Sequence, residues 1–325
     1  MFAGHISAPN KIELVEVEEP KLSNQRGEIL FQPECACLCG SDMPFFTMSG
    51  EVDTPVVGHS LHEMIGSVID TNGSKFKPGD RVLAVPVYQV GFFERYVLSE
   101  ERAIPLADNI AEDIAMMAQP LGTVLYALRK LPNMLGKTVA IVGQGPIGQL
   151  FTLALRNLGA SRIIAIDPLA ARLEVSRKSG ATHFICNGDA DPVEEVTRIT
   201  NGAMVDVVIE AVGHQYQQLN LCAKLVKKFG MLVYFGVPAQ TIENVGWGEV
   251  FRKNLTVVTS VEPDFSLDFP LAMQWISEGR VDVSHLLTHR YPLSDIQKAY
   301  EHFRDKTDGS IKVLIEFPSW KHKTL

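Results

Sequence analysis

The pattern of apolar and polar positions divides the chain into three zones. From Ile12 to about Ile104, short apolar runs alternate with turn-forming residues, which is typical of a compact β-rich domain. The clearest predicted strands of this zone are Glu28–Gln32, Met64–Ile69 and Arg81–Val85, and Lys77-Pro-Gly-Asp80 predicts a turn.

Strands and helices alternate from about Lys137 to Val261. Uninterrupted apolar runs predict strands that are buried on both faces, as in a parallel sheet covered by helices. The predicted strands are Thr138–Val142, Arg162–Ile166, Val205–Glu210, Met231–Phe235 and Leu255–Thr259, and the predicted helices are Gly148–Leu158, Leu169–Ser179 and Gln215–Lys228.

The last zone, Asp268–Phe317, combines two predicted helices (Pro270–Ser277 and Ser294–Phe303) with a predicted closing strand, Ile311–Phe317. Its rhythm matches neither neighbour. The pattern alone leaves open whether this zone is a cap or completes the first domain.

Composition narrows the class of protein. A length of 325 residues suggests about two domains, and 46% hydrophobic with 21% charged residues excludes a disordered chain. The net charge of −8 and the lack of a long basic run argue against nucleic acid or an anionic membrane as the main partner. No apolar run approaches the roughly 18 residues of a membrane span, and no secretory signal pattern is recognised.

Five cysteines, with Cys35, Cys37 and Cys39 in one short segment, exclude a disulfide scaffold. A reducing compartment, the cytoplasm, is therefore expected.

A glycine-rich turn follows the first strand of the alternating zone. Its residues are Gly143, Gln144, Gly145, Pro146, Ile147 and Gly148. This spacing between a strand and a helix is the fingerprint of a dinucleotide-binding turn, where the glycines allow a tight turn, close approach of the pyrophosphate and helix packing. The helix N-terminus then attracts the phosphates.

Asp167 ends the next predicted strand, 19 residues after Gly148. A carboxylate at this place accepts hydrogen bonds from an adenosine ribose and repels a 2′-phosphate, so NAD is expected rather than NADP. Arg172 is a nearby cation that would weaken this preference, although a position against the adenine suits it better.

At this point the chain resembles the zinc-type medium-chain dehydrogenases and reductases, closest to the polyol and threonine dehydrogenase branch. The segments that carry the resemblance are Cys39-Gly-Ser-Asp42, Lys77-Pro-Gly-Asp-Arg-Val82, Gly91-Phe-Phe-Glu-Arg-Tyr-Val97, Gln119-Pro-Leu-Gly122, Glu210-Ala-Val-Gly213, Phe235-Gly-Val-Pro238, Thr288-His-Arg-Tyr-Pro-Leu293 and Gly309-Ser-Ile-Lys-Val313. They span nearly the whole chain in order.

The resemblance implies an α/β fold with two domains and an active site in the cleft between them. A discontinuous GroES-like catalytic domain would comprise residues 1–127 and 262–325, and a Rossmann NAD-binding domain residues 128–261. Val212 and Val237 would meet the nicotinamide. An exposed sheet edge near Leu255–Ser260 would pair two copies, giving a homodimer or homotetramer.

The resemblance also implies one catalytic zinc, with Cys39 as its first ligand. For the second ligand, spacing to the next strand favours His62 over His59. In that case Asp42 would orient the His62 ring, and Glu63 could enter or leave the coordination sphere.

The third ligand position departs from the family, which places Cys, Asp or Glu where this chain has Gln119. Because an amide oxygen is a poor zinc ligand, three alternatives stay open: Glu63 supplies the ligand, Gln119 acts through water, or the enzyme is zinc-free. The segment Pro86–Gly91 crosses the place of the family's structural-zinc lobe, so no structural zinc is expected.

The chemistry implied is reversible oxidation of a secondary alcohol or polyol by NAD, with Ser41 as first proton acceptor. Pro44 occupies the place of a relay histidine, so the proton would leave through the ribose or through His59. Aromatic residues expected to wall the substrate pocket are Phe45, Phe46, Phe92 and Phe93. The alternatives are a zinc-independent NAD(P)H quinone or enoyl reductase, a non-catalytic NAD-binding redox sensor and a structural, crystallin-like protein.

Overall fold

The structure, a computed structural model, describes residues 1–49, 54–213, 216–306 and 308–320. The chain divides into two compact units. The first comprises Met1–Gly122, Asp264–Gly279 and Leu287–Leu325, and the second comprises Thr123–Pro263 and Arg280–Leu286. Most of the last zone therefore belongs to the first unit, except Arg280–Leu286. The predicted boundaries at 127/128 and 261/262 stay predictions.

The elements run in chain order as follows. The first stretch contains β1 (Phe2–Ala8), β2 (Lys11–Glu16), β3 (Glu28–Cys37), α1 (Met43–Thr47), β4 (Glu63–Thr71), β5 (Arg81–Ala84), β6 (Tyr96–Ser99), β7 (Ala103–Pro105), α2 (Glu112–Ala115) and α3 (Ala118–Arg129). The middle stretch contains β8 (Thr138–Val142), α4 (Pro146–Asn157), β9 (Arg162–Asp167), α5 (Ala170–Lys178), β10 (His183–Cys186), α6 (Pro192–Ile199), β11 (Val205–Glu210), α7 (Tyr216–Leu225), β12 (Val226–Tyr234), α8 (Trp247–Arg252) and β13 (Thr256–Thr259). The last stretch contains α9 (Asp268–Ser277), β14 (Leu287–Pro292), α10 (Ile296–Asp305) and β15 (Lys312–Glu316).

In the first unit, a mostly antiparallel sheet has the strand order β14-β15-β3-β4-β5-β7, with β6 also paired to β3 and with β1 and β2 as a separate hairpin. The long strand β3 alternates buried and half-buried side chains along most of its length, as expected for a sheet with one face on the core. Phe31 and Ile29 of this strand pack with Phe46, Phe92 and Tyr300 in the core of the unit.

The register of the sheet brings three strand ends together. Cys37, the last residue of β3, is paired with Glu63 at the start of β4 and with Leu314 of β15. Lys312 begins β15, and Cys39 follows β3 by two residues. Side chains from three distant parts of the sequence therefore lie at one end of the sheet.

The second unit contains a parallel six-stranded sheet with the order β10-β9-β8-β11-β12-β13. Its central strands are buried on both faces, as the apolar runs predict. This is the Rossmann strand order, in which the direction of winding reverses between β8 and β11. Ligands of such sheets bind beyond the carboxyl ends of the strands at that point.

The predicted α/β fold class is confirmed, and the predicted strands of both zones are present with shifts of a few residues at their ends. The helix α4 starts at Pro146 rather than Gly148, because Gly145 is its N-cap and proline suits the first helical position. The sequence analysis missed β10, α6 and α8, which have only 4, 8 and 6 residues. It was also wrong for Phe46 and Phe92, whose rings are fully buried in the core of the first unit rather than lining a pocket.

Candidate functional site

The carboxylate of Asp42 is the centre of the polar cluster in the first unit. It is fully buried, and its Oδ2 accepts a hydrogen bond from the backbone N–H of Cys39 at 2.7 Å. Its Oδ1 accepts from the Ser60 hydroxyl at 2.6 Å and from the Leu61 N–H at 3.1 Å. Burial alone would raise the pKa of Asp42, but His62, Ser60 and Cys39 outweigh it, so the pKa is lowered and the carboxylate stays charged.

The backbone before His62 adopts an unusual conformation. Ser60 and Leu61 both have positive φ angles, 89° and 64°, which non-glycine residues rarely adopt. Such strain persists only where surrounding contacts enforce it. Here the contacts are the two hydrogen bonds to Asp42 and a third in which the buried Tyr300 hydroxyl donates to Ser60 Oγ at 2.8 Å. The result is a fixed direction for the next side chain, His62.

Potential metal ligands of Cys39, His62 and Glu63 lie within 4.8 Å of one another. Among the described residues, His62 Nδ1 and Glu63 Oε1 are buried without a hydrogen-bond partner, and Asp42 Oδ1 lies 3.8 Å from His62 Nδ1. Burial lowers the pKa of His62, but Asp42 and Cys39 outweigh it and the pKa is raised well above its usual value. Sulfur, nitrogen and oxygen donors grouped in this way, with Glu63 Oε1 buried and without a partner, fit a zinc ion.

Glu63 also forms an ion pair with Lys312, and both side chains are buried. The Lys312 ammonium donates a second hydrogen bond to the backbone carbonyl of Leu38 at 3.0 Å. Burial opposes the charge on Lys312, but the Glu63 carboxylate outweighs it and raises the pKa of the ammonium. The ion pair therefore fixes a positive charge beside the potential ligands.

The remaining predicted residues of this cluster are placed as follows. Ser41 is half-buried in a short 3₁₀ turn directly after Cys39, and Gln119 is buried in the first turn of α3. His59 lies outside the potential ligand set, with its ring stacked on Phe45 at 4.7 Å between centroids. Its Nδ1 accepts a hydrogen bond from the Val56 N–H at 3.0 Å.

In the second unit, the fold requires glycine at two of the three glycine positions of the predicted phosphate turn but not at the third. Gly143 has φ +92°, and a side chain on Gly148 would lie 1.9 Å from the Gly143 carbonyl oxygen, so the fold itself requires both glycines. Gly145 has an extended backbone (φ −70°, ψ −170°), and an added Cβ would meet only the end of Arg172 at 3.5 Å. The fold would therefore accept a side chain at Gly145, and the absence of one leaves an open space beside the turn.

Asp167 and Gln144 support this turn from inside. Asp167 Oδ2 accepts the Gln144 N–H at 2.7 Å, and its Oδ1 accepts the Leu169 N–H at 2.8 Å. Arg172 is buried with its guanidinium 4.0 Å from Asp167, and burial lowers the pKa of this arginine while Asp167 opposes the shift. The Gln144 side chain points inward, where it bonds Thr152 and Ser176, so only its backbone can serve a ligand.

Val212 and Val237 follow the neighbouring strands β11 and β12, and they are 38% and 51% exposed. The buried Glu210 ties both loops together. Its Oε1 accepts the N–H groups of Val212 and Gly213 at 2.9 Å, and its Oε2 accepts the Gly236 N–H at 3.1 Å. Burial raises the pKa of Glu210, and these hydrogen bonds oppose the shift. Two apolar side chains are thus held open to solvent at the carboxyl ends of the strands.

Comparisons with known proteins agree with this geometry. Residues 146–278 match the family model "Zinc-binding dehydrogenase". The chain is 26% identical over 349 residues to a sorbitol dehydrogenase of Bacillus subtilis (strain 168), covering 96% of this chain and 95% of that protein. It is 32% identical over 227 residues to an alcohol dehydrogenase of Cupriavidus necator, covering 68% of this chain and 62% of that protein. These matches support the medium-chain dehydrogenase/reductase family for this chain.

The fold of the family is equally clear in three dimensions. The alcohol dehydrogenase of Thermus sp. ATN1 superposes with a TM-score of 0.85 at 24% identity, covering 98% of this chain and 100% of that one. This superposition shows the fold, and the family model and the sequence relatives support an oxidoreductase of the zinc-binding medium-chain type. No helix among the described residues has the length and apolarity that crossing a bilayer requires.

Three residues important to this medium-chain dehydrogenase were missed as individual residues in the sequence analysis: Lys312, Tyr300 and Glu210. Lys312 carries a detectable signal, since it is a lysine inside an otherwise apolar strand, Ile311–Ile315. A charged residue in such a run is rarely buried unless it is paired. Its partner, however, is set by strand register and is not visible in the sequence.

We expect Asp42→Asn to weaken zinc binding by about 10–100-fold, because the amide keeps one acceptor oxygen and turns an NH₂ group toward backbone donors, which releases the His62 loop. The check is zinc affinity by competition with a chromophoric chelator, on protein whose circular dichroism shows it to be folded. Asp70→Asn, at an exposed carboxylate that bonds the Thr71 N–H, is the matched control. Unchanged affinity in folded Asp42→Asn would contradict the orienting role.

Lys312→Met should destabilise the metal-free protein by about 3–5 kcal/mol, because it leaves the buried Glu63 carboxylate without a counter-charge. Urea denaturation measures this loss. The control is Lys298→Met, which breaks an exposed ion pair with Asp295 (3.0 Å) and should change stability by less than about 1 kcal/mol. Equal losses of unfolding free energy in the two variants would show that the buried Glu63–Lys312 pair contributes no more to stability than an exposed ion pair.

Proposed function

We propose that the protein transfers a hydride between NAD and a secondary alcohol or polyol, or the corresponding carbonyl compound, with one catalytic zinc. The observation that carries this proposal is the convergence of Cys39, His62 and Glu63 within 4.8 Å at a rigid end of the sheet. This donor set would have no purpose in a zinc-independent reductase of the same fold.

Cys39 and His62 would hold the metal, with Glu63 or Gln119 completing the set. Bound zinc supplies Lewis-acid chemistry, which polarises the substrate oxygen and lowers its pKa. The thiolate of Cys39 would carry a negative charge beside Lys312, and Asp42 would keep the His62 ring in one orientation. The site's own residues thus provide both the ligands and their support.

Ser41 would take the proton of the substrate hydroxyl, since its half-buried hydroxyl directly follows the Cys39 turn. The alternative route through His59 is disfavoured by its hydrogen bond. Its Nδ1 already accepts the Val56 N–H, so in the neutral ring the proton is on Nε2 and no ring nitrogen is left to accept another. The proton would therefore leave Ser41 toward solvent by a route that does not include His59.

The cofactor would be held by the second unit. Space at Gly145 suits the pyrophosphate, the exposed Val212 and Val237 suit an apolar ring face, and the Asp167 carboxylate would reject a 2′-phosphate. NAD is therefore proposed rather than NADP. Arg172, although buried 4.0 Å from Asp167, supplies the only opposing influence that the sequence analysis identified.

The proposed homodimer or homotetramer would form through β13. This strand is at the edge of the parallel sheet, and Val257 and Val261 on and beside it are exposed. An unpaired edge of this kind can add a strand from a second copy. Cytoplasmic location stays a prediction from the cysteine pattern.

The activity is tested with the full-length chain on a panel of polyols and secondary alcohols, with NAD or NADP, before and after chelation and zinc return. We expect NAD-dependent turnover that is lost on chelation and restored by zinc. Ser41→Ala should lower kcat by about 100-fold or more with NAD affinity unchanged, whereas the exposed control Ser23→Ala should not. NADPH-dependent turnover that is indifferent to chelation would establish the zinc-independent reductase, and NAD binding without any turnover the redox sensor.

Gly145→Ala should separate cofactor binding from folding. Because the backbone there is extended and the nearest protein atom is 3.5 Å away, thermal stability should stay close to that of the unmodified protein. The added methyl group would occupy the pyrophosphate position, so the Kd for NAD, measured by calorimetry, should rise at least tenfold, about 1.4 kcal/mol. Gly248→Ala, on the exposed helix α8 beside the flexible end of Arg252, is the control. Normal NAD affinity in Gly145→Ala would place the pyrophosphate elsewhere.

A further inference from the structure

A second group of metal-binding side chains lies in the first unit, apart from the Cys39 set. It combines His289 of β14, His302 in the last turn of α10 and Asp308 after that helix. His289 Nε2 lies 2.9 Å from Asp308 Oδ2, and His302 Nε2 lies 2.9 Å from Asp308 Oδ1. The two imidazole rings are 4.2 Å apart between centroids.

Hydrogen bonding behind His289 fixes which of its nitrogens carries a proton. The Thr288 hydroxyl donates to the Lys312 carbonyl at 3.1 Å and accepts the Ile311 N–H at 3.1 Å. Its remaining contact is His289 Nδ1 at 3.0 Å, so the ring nitrogen must be the donor there. In the neutral ring, Nε2 then presents a lone pair toward the Asp308 carboxylate.

Two lone pairs facing each other at 2.9 Å repel unless a cation lies between or beside them. The cation is either a second proton on His289 or a metal ion bound by both groups. Metal–nitrogen and metal–oxygen bonds of about 2.0–2.2 Å at angles near 90–110° separate two ligand atoms by about 3 Å, which matches both contacts of Asp308.

The His302 ring has the outer contact that metal-bound histidines usually have. Its Nδ1 lies 2.6 Å from the Tyr291 hydroxyl, whose oxygen can accept a hydrogen bond from Nδ1–H and so leave the Nε2 lone pair available for a metal. His302 also lies in the final turn of α10, where the partial negative charge of the helix end attracts a cation. Asp308 is about half exposed, so water could complete the coordination.

We propose that His289, His302 and Asp308 bind one divalent transition-metal ion, of which Zn²⁺ is the probe. Two imidazoles and one carboxylate are a donor set that zinc accepts in proteins. The ion would join the edge strand β14 to the carboxyl end of α10 and the residue Asp308 beyond it. It would therefore stabilise the first unit when bound, and this proposal does not depend on the proposed activity.

The experiment uses the full chain with Cys39→Ser, which removes the first ligand of the other set. Zinc bound per chain is measured by equilibrium dialysis. We expect about one zinc to remain bound, with affinity falling at least tenfold when Asp308→Asn or His302→Gln is added. Asp305→Asn and His183→Gln, which remove neighbouring or unrelated groups of the same types, are the matched controls and should not change it.

A second readout is the melting temperature, which zinc should raise in the Cys39→Ser protein and in its controls but not in the Asp308→Asn combination. If either test variant fails to fold, His289→Asn replaces it. Absence of zinc binding in the Cys39→Ser protein, or equal binding with Asp308→Asn, would overturn the site and identify the cluster as an imidazolium–carboxylate contact. Activity is not measured in this test, so its result is separate from that of the proposed function.

Discussion

The candidate catalytic cluster depends on one buried carboxylate. Asp42 binds the N–H of Cys39 on one side and two groups of the Ser60–Leu61 segment on the other. Hydrogen bonds to an ionised acceptor are stronger than neutral ones, and their loss in a buried site leaves several donors without partners. This strength is what holds Ser60 and Leu61 at positive φ, and with them the direction of His62. The candidate metal ligands thus owe their arrangement to a residue that lies behind them.

The second constraint is the charge balance around Glu63. A buried ion pair gains little net stability, because desolvation of both groups offsets their attraction. The ion pair instead fixes positions: the Leu38 carbonyl holds Lys312, and Lys312 holds Glu63 at the start of β4. The exchange of a charged third ligand for Gln119 removes one negative charge from the set. Retention of a metal by Cys39 and His62 then depends more strongly on Glu63 and on the support from Asp42.

The sequence predicts these features to the extent that they are local. The glycine-rich turn is contained in six residues between a strand and a helix, so spacing and local context together predict it. The doubly wound sheet follows from the apolar runs. The Glu63–Lys312 pair joins residues 249 positions apart and depends on the pairing of β3 with β4 and β15. Phe46 and Phe92 were misassigned for a related reason: an aromatic side chain beside a site motif has the same pattern whether it lines a pocket or fills the core. His302 belonged to no motif, and His289 lay in the Thr288–Leu293 segment of the resemblance without a role of its own. Only the packing of α10 on β14 brings both to Asp308.

Buried carboxylates recur at each functional loop of this protein. Asp42 organises the candidate metal cluster, Asp167 accepts two backbone N–H groups under the predicted phosphate turn, and Glu210 accepts three at the loops of Val212 and Val237. At Asp167, these hydrogen bonds to backbone N–H groups also bear on the proposed preference for NAD over NADP. Two of its lone pairs are used by Gln144 and Leu169, so its hydrogen-bonding capacity toward a ribose is reduced, but its charge is not. Coulomb repulsion of a 2′-phosphate needs no free lone pair, and in a poorly hydrated site it acts over several ångströms. On the proposal that NAD is the cofactor, selection against NADP should therefore outlast any single hydrogen bond to the ribose. It depends on the charge of Asp167, which the Arg172 guanidinium 4.0 Å away opposes.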